Sequence, residues 1–322
     1  VQAFRTAAAV VDGLPEDQLD LKIRTGTLKD LKGVGPKTAA VVVQAHKGQV
    51  PEYLTKLEQD LAELVPMADD VAEFRAALKG DLHLHSDWSD GGSPIREMAE
   101  AAIALGHEYM ALTDHSPRLT VANGLSPARL EQQLDVVAAL NEELSPFRIL
   151  TGIECDINVD GSLDQTDELL GRLDVVVASV HSDLRADSAA MTARMLTAVA
   201  NPHTDVLGHC TGRLVIGRTQ RNGTQKPRPE STFDAEAVFA ACVEHGTAVE
   251  INSRPERLDP PRRLLTLAVE LGCEFAIDTD AHAPGQLDWQ YNGVERAIEC
   301  GVSPDRVVNT RGADDLLAWT RG

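Results

Sequence analysis

The chain has no CxxC pair. Its five cysteines, Cys155, Cys210, Cys242, Cys273 and Cys300, are scattered and odd in number, which argues against a thiolate zinc site and against a framework of paired disulfides. A reducing, cytoplasmic setting is therefore expected. Long apolar runs are missing as well: no stretch approaches the roughly 18 residues that span a bilayer, and the opening VQAFRTAAAVVDGLPED lacks the length and flanks of a signal peptide. No membrane partner is expected. Positive charge is scarce, with 30 Lys and Arg against 50 Asp and Glu and a net charge of -20, which argues against a broad nucleic-acid-coating surface. Aromatic residues make up only 4%, and internal repeats and low-complexity tracts are absent. The 43% apolar content is nevertheless that of an ordinary globular chain.

What is there divides in two. The 322 residues suffice for one domain of about 200 to 250 residues and a smaller companion. Charge is unevenly spread, with a balance of +2 over residues 1–50, -4 over 51–79 and -18 over 80–322. Residues 1–79 read as helical, through FRTAAAVVDGL, the amphipathic LEQDLAELV and VAEFRAALKG, which ends on Gly80. Between them, LKDLKGVGPKTAAVVVQAHKG predicts a short helix, a tight turn at Gly33-Val34-Gly35 and a second helix opened by Pro36. Backbone N–H groups at such a helix start seat phosphate, with Lys32 and Lys37 beside them. The plainer alternative is a packed two-helix corner.

After residue 80, short apolar runs alternate with Ala-rich helical patterns. GDLHLHS, YMALTDH, FRILTGIECDI, DVVVASVHS, TDVLGHC, TAVEIN and EFAIDTDAH read as seven strands separated by helices, which implies a mostly parallel sheet. Polar, metal-type residues end nearly every strand, and only a closed barrel gathers such ends on one face. These residues are His83, His85, Asp90, His115, Glu154, His181, His209, Asp280 and His282. The period-2 spacing puts His83 with His85, and Asp280 with His282, on one side of an extended strand. Nine donors exceed the needs of one tetrahedral zinc and suit three ions better. The other four histidines, His46, His107, His203 and His245, lie in helical or connecting segments without partners, and a terminal-carbonyl contact is expected of His107 and His245.

GDLHLHSDWSDGGSPIREMAEAAIALGHEYMALTDHS, RLTVANGLSP, GIECDINVDGSLD, VVASVHS, VLGHCTGRL, EINSRPERLD and DTDAH resemble the polymerase and histidinol phosphatase (PHP) family. They look most like the C-terminal PHP domain of bacterial family X DNA polymerases. The first 50 residues resemble the helix-hairpin-helix part of the same polymerases, but residues 51–79 leave no place for a polymerase palm. The resemblance implies a distorted (β/α)7 barrel, residues 80–322, preceded by a small all-α helix-hairpin-helix domain with its linker, residues 1–79. It also implies up to three divalent ions, Zn, Mn or Fe. His83, His85, Glu154 and Asp280 would hold the first, Glu154, His181 and His209 the second, and Asp90, His115 and His282 the third. Glu154 would bridge the first two, with a shared hydroxide beside it as the nucleophile.

Arg213, after GHCTG, and Arg257, in SRPERLD, are candidates for phosphate contact, with Arg218 and Arg254 as further ones, because a guanidinium fork fits phosphate oxygens. Asp114 and Ser116 are placed to orient His115. Gly33, Gly35, Lys32 and Lys37 would grip a DNA backbone, and the basic loop 213–231 would cover the site. The expected activity is hydrolysis of phosphate esters at DNA ends, as a 3'-5' exonuclease or 3'-phosphatase in DNA repair, with repair proteins as further partners. Two alternatives stand beside it: a small-molecule phosphomonoesterase of histidinol-phosphatase type, which the acidic barrel favours, and a non-catalytic DNA-binding scaffold. An amidohydrolase with a metal-bridging lysine is disfavoured, since Lys226 is the sole lysine after residue 79.

Overall fold

A computed structural model describes residues 2–62, 68–219 and 225–321, which form two compact units, Val1–Met67 and Ala68–Gly322. The first unit is helical. Gln2–Asp12, Glu16–Thr25 and Pro36–His46 enclose a small core of Ala7, Leu28, Val34 and Ala39, and helix Glu52–Ala62 follows. Leu28–Asp30 forms one 3-10 turn, Gly33 takes φ 96°, a region that favours glycine, and Pro36 opens its helix where a missing N–H is harmless. Lys32, Gly33, Gly35 and Lys37 are all exposed on this turn.

Helix Asp69–Ala77, which the sequence places with the N-terminal part, belongs to the second unit. Val71 and Phe74 on this helix, with Leu78 just after it, are buried in the same apolar cluster as Val294, Val302 and Val307. The division therefore falls at 67/68 and not at 79/80. An amphipathic helix reads the same whichever core its apolar face joins.

The second unit is a seven-stranded parallel sheet curled into a nearly closed barrel. Its strands are β1 (Gly80–Leu84), β2 (Tyr109–Leu112), β3 (Arg148–Asp156), β4 (Val175–Ser179), β5 (Val206–Leu207), β8 (Ala248–Asn252) and β9 (Phe275–Asp278), in that order. A parallel bridge between Leu84 and Ala281 brings the first and last strands together. The remaining two strands, β6 (Leu214–Thr219) and β7 (Gln225–Arg228), form a separate antiparallel hairpin where the sequence suggests a long loop. Alternation sorts the side chains, as the pleat requires. On β8, Val249 and Ile251 pack with Phe239 and Leu265 of the helical layer, whereas Ala248 joins Val177, Val206 and Ala276 in the inner cluster. That inner cluster is apolar at the strand starts; towards the strand ends it gives way to buried His83, Glu154 and Glu250. Among the described residues no helix is long and apolar enough to cross a membrane.

His107 follows helix Ile95–Ala104; its backbone N–H donates to the carbonyl of Ala102 at 3.1 Å, as any residue there could, while neither ring nitrogen makes the terminal-carbonyl contact expected of the side chain. Its ring is buried, and burial followed by the charge of Arg75 pushes its pKa down to about 4. The unfolded imidazole takes up protons near pH 6.5, so between about 6.5 and 4 the unfolded chain binds more protons. Stability present above pH 6.5 is therefore lost as pH falls through about 4. In His107→Gln the fall in melting temperature over this window should be shallower than in the parent. Parallel pH profiles would assign the ring no part in acid unfolding.

Candidate metal centre

Six of the seven barrel strands deliver donors, all at the same end. His83 lies within β1 and His85 just beyond it; His115, His181 and His209 follow β2, β4 and β5; Glu154 lies in β3; and Asp280 and His282 follow β9. Barrel closure brings these ends together around Glu154, which is 1% exposed. Its Oε2 is 3.3 Å from His83 Nε2, 3.6 Å from His85 Nε2 and 2.9 Å from His115 Nδ1. Its Oε1 is 3.3 Å from His181 Nε2 and 2.8 Å from His209 Nε2. One carboxylate thus reaches five imidazoles. Asp280 Oδ1 lies 3.5 Å from His85 Nε2, and Asp90 Oδ1 lies 3.3 Å from both His115 Nε2 and His282 Nε2. All nine expected residues meet at one place.

The donor set fits divalent cations. Among the described residues four overlapping triplets have their donor atoms within 4.8 Å of one another: His85–His115–His282, His83–Glu154–His209, His83–His85–Asp280 and His115–Glu154–His181. Buried ring nitrogens of His83, His85 and His209 have no hydrogen-bond partner, an arrangement costly in the interior unless something else satisfies them. Burial, then the neighbouring His115 and His282, hold His85 neutral with a pKa pushed down to about 3, so the lone pair of one ring nitrogen stays available. Burial alone would raise Glu154, but the charges of His83, His181 and His115 hold it well below the usual carboxylate range. Asp280 is likewise kept ionised against burial by Arg257 and Arg254. Its backbone sits at φ 52°, a left-handed conformation that costs a non-glycine residue about 1 to 3 kcal/mol and is met mostly at functional positions.

Two supporting carboxylates escaped the sequence reading. Glu250 of β8 accepts from His83 Nδ1 at 2.5 Å through one oxygen and from the backbone N–H of His209 through the other. Asp156 of β3 accepts from His181 Nδ1. Each fixes which ring nitrogen carries the proton and turns Nε2 towards Glu154. A signal for Glu250 existed: a charged residue at an inward position of the apolar run TAVEIN must have a buried partner.

Asp114 and Ser116 do not orient His115 as expected; their side chains bond elsewhere. Asp114 accepts from the Ser86 backbone N–H at 2.9 Å, from the Ser86 and Ser89 hydroxyls and from Gln133 Nε2 at 2.7 Å, so it fastens the loop that carries Asp90. Ser116 Oγ accepts from the backbone N–H of Asp156 at 2.9 Å, an indirect support for His181.

A cavity of about 540 Å³ opens onto the cluster, lined by Asp90, His115, His181, Asp280 and His282 and also by Arg228, Arg254 and Arg257. Arg257 donates from Nε to Asp280 Oδ2 at 2.8 Å and keeps a buried Nη1 without a partner. Arg254 donates from Nη1 to Asp280 Oδ1 at 3.3 Å. Arg213 departs from expectation. Its guanidinium is engaged by the carbonyls of Arg257 and Leu258 and by Glu230, so it braces the loop carrying the other two and does not line the cavity. The side chain of Arg218 lies outside the described residues. Arg228, on the hairpin, was not singled out by its sequence context.

A parallel barrel whose strand ends gather six histidines and three carboxylates beside an arginine-lined cavity defines a metal-dependent phosphoesterase. The chain belongs to the PHP domain family, which it matches over residues 81–287. It is 43% identical over 244 residues to the DNA polymerase/3'-5' exonuclease PolX of Bacillus subtilis, a match that covers 76% of this chain and 41% of that protein. The chain thus spans about two fifths of that relative's length. A probable phosphatase of Thermoanaerobacter sp. strain X514 is 27% identical over 241 residues, covering 71% of this chain and 89% of the relative. A histidinol phosphate phosphatase of Lactococcus lactis, solved with zinc, L-histidinol and phosphate, superposes with a TM-score of 0.48 at 20% identity over 69% of this chain and 92% of its own.

Proposed function

We propose that the chain hydrolyses phosphate ester bonds at DNA ends, as a 3'-5' exonuclease or 3'-end phosphatase. The observation that carries this reading is one cavity shared by the Glu154-centred cluster and by Arg254 and Arg257. His83, His85, Glu154 and Asp280 would hold one ion, Glu154, His181 and His209 a second, and Asp90, His115 and His282 a third, with zinc, manganese and iron all matched to such donors. Bound there, divalent ions supply a nucleophile at neutral pH and polarise the phosphoryl group.

The chain's own residues do the remainder. Arg257, held by Asp280, offers its unpartnered Nη1 to a phosphate oxygen, and Arg254 adds a second positive charge beside it. Glu250 and Asp156 retain the Nδ1 protons of His83 and His181, which prevents either ring from rotating its lone pair away. Leu119 and the hairpin side chain Leu214 line the same space and limit entry of bulk water. In the first unit, the exposed Lys32-to-Lys37 turn would hold a DNA backbone through Gly33 and Gly35 without reading bases. The relative from Bacillus subtilis, by its name an exonuclease, supports DNA as substrate.

A small-molecule phosphomonoesterase is the second reading, favoured by the probable phosphatase whose length is covered almost throughout. A side-by-side assay with manganese on single-stranded DNA, 3'-phosphorylated DNA and histidinol phosphate separates the two. Removal of residues 1–67 adds a sharper test, because contacts made outside the barrel supply uniform binding. KM on DNA should rise at least about fivefold at low salt, while kcat and hydrolysis of a small phosphomonoester stay nearly constant. The rise should shrink as salt increases. If the truncated protein melts normally and its KM on DNA is unaltered, the turn is only structural and the small-molecule reading gains.

A further inference from the structure

The cavity at the metal centre has an apolar part that phosphate chemistry does not require. Val121 and Ile216 line it, and they are 91% and 42% exposed. Exposed aliphatic residues scattered over a surface need no explanation, but two that share one cavity with a phosphoesterase cluster do. Nor is Val121 on a loose loop. It sits in the 3-10 turn Thr120–Ala122, which ends on Asn123 at φ 56°. Asn123 donates from Nδ2 to the Trp88 carbonyl at 3.0 Å, and Arg129 donates from Nη1 to the Asn123 carbonyl at 2.8 Å. Gly124 presses so closely on the carbonyl of Ser116 that an added Cβ would lie 1.9 Å from its oxygen. Ile216 is fixed in turn by the hairpin, whose Val215 N–H donates to the Glu256 carbonyl at 2.7 Å. Both aliphatic side chains are held out on fastened backbone.

The charges in the same cavity say what chemistry must accompany the apolar group. Apart from the cluster itself, the charged residues that line the cavity are Arg228, Arg254, Arg257 and Glu256. An ammonium-bearing phosphomonoester would place its cation among three guanidiniums, whereas a nucleotide presents only phosphates and neutral rings. We propose that Val121 and Ile216 form an aliphatic shelf for the nucleobase of the nucleotide whose phosphate is attacked. This rests on the DNA-end reading and makes it specific. Among the described residues no Phe, Tyr or Trp lines the cavity. The base would therefore be held by contact with its flat face and not by aromatic stacking or hydrogen-bonded readout, and all four bases should be accepted alike.

The test uses the full chain with manganese and two oligonucleotides that differ only in whether the terminal nucleotide carries a base, alongside a small phosphomonoester. The parent should favour the base-bearing end by about tenfold in kcat/KM, and the double substitution Val121→Ser with Ile216→Ser should abolish that preference, on the scale of two lost apolar contacts. Val121→Ile should retain it. Equal cleavage of both oligonucleotides by the parent would overturn the shelf alone. So would a doubly substituted protein that loses rate equally on both. A parent active on the small phosphomonoester and on neither oligonucleotide would overturn the DNA-end reading, and the shelf with it.

Discussion

Exchanging Glu154 for glutamine should lower kcat on any phosphate ester by at least about 100-fold, the scale of loss when a key charge-stabilising group is removed from an active site. The substitution keeps the side chain's size, so the barrel around it has no cavity to fill. What disappears is one negative charge at a point from which five imidazoles are reached. Two of the four donor triplets contain Glu154, and both lose a carboxylate at once. An outer donor such as Asp90, which is partly exposed and meets only His115 and His282, should matter less when changed to asparagine. Kinetics at saturating metal, with a thermal melt to confirm folding, decide the matter. A Glu154→Gln protein within threefold of the parent would remove this residue from the centre of the site.

Chelation should have the next largest effect, on stability as well as on rate. A metal-free centre leaves buried imidazole nitrogens without partners and packs six rings and three carboxylates into one volume. An ion bound only by the folded state at about 1,000 times its dissociation constant adds about 4 kcal/mol. For a unit of this size that corresponds to roughly 10 °C in melting temperature. Dialysis against a chelator should therefore abolish hydrolysis and lower the melting point by about this much, and readdition of manganese or zinc should restore both. Elemental analysis should then find up to three ions per chain. A melting temperature indifferent to chelator and to added metal would show that the cluster holds no ion tightly.

The strand ends were legible because two signals coincided there. Apolar runs such as DVVVASVHS fix a buried strand by composition, and a histidine at the end of successive runs marks the face where they converge. Other features were hidden for definable reasons. The hairpin of β6 and β7 carries Gly217, Lys226, Pro227 and Arg228, a composition that reads as loop because a short exposed ribbon needs no apolar alternation. Arg213 and Arg257 look equivalent in sequence, each following a strand, and only the fold sends one guanidinium to backbone carbonyls and leaves the other beside Asp280. Asp114 stands next to His115 in the chain, yet successive residues of an extended segment point to opposite sides. Its partners are accordingly Ser86, Ser89 and Gln133.

The bridge that joins Leu84 to Ala281 has a consequence for synthesis on the ribosome. His83 and His85 emerge early, but Asp280 and His282 follow almost 200 residues later, and the Leu82 N–H bond to the Asp278 carboxylate spans the same interval. Contacts between such distant segments form only after the intervening chain has been ordered. A nascent chain released before its last barrel strand would carry most of the histidines and no assembled hydrolytic centre. Splitting the donors between the first barrel strand and the segment after the last thus makes the hydrolytic centre conditional on a finished barrel.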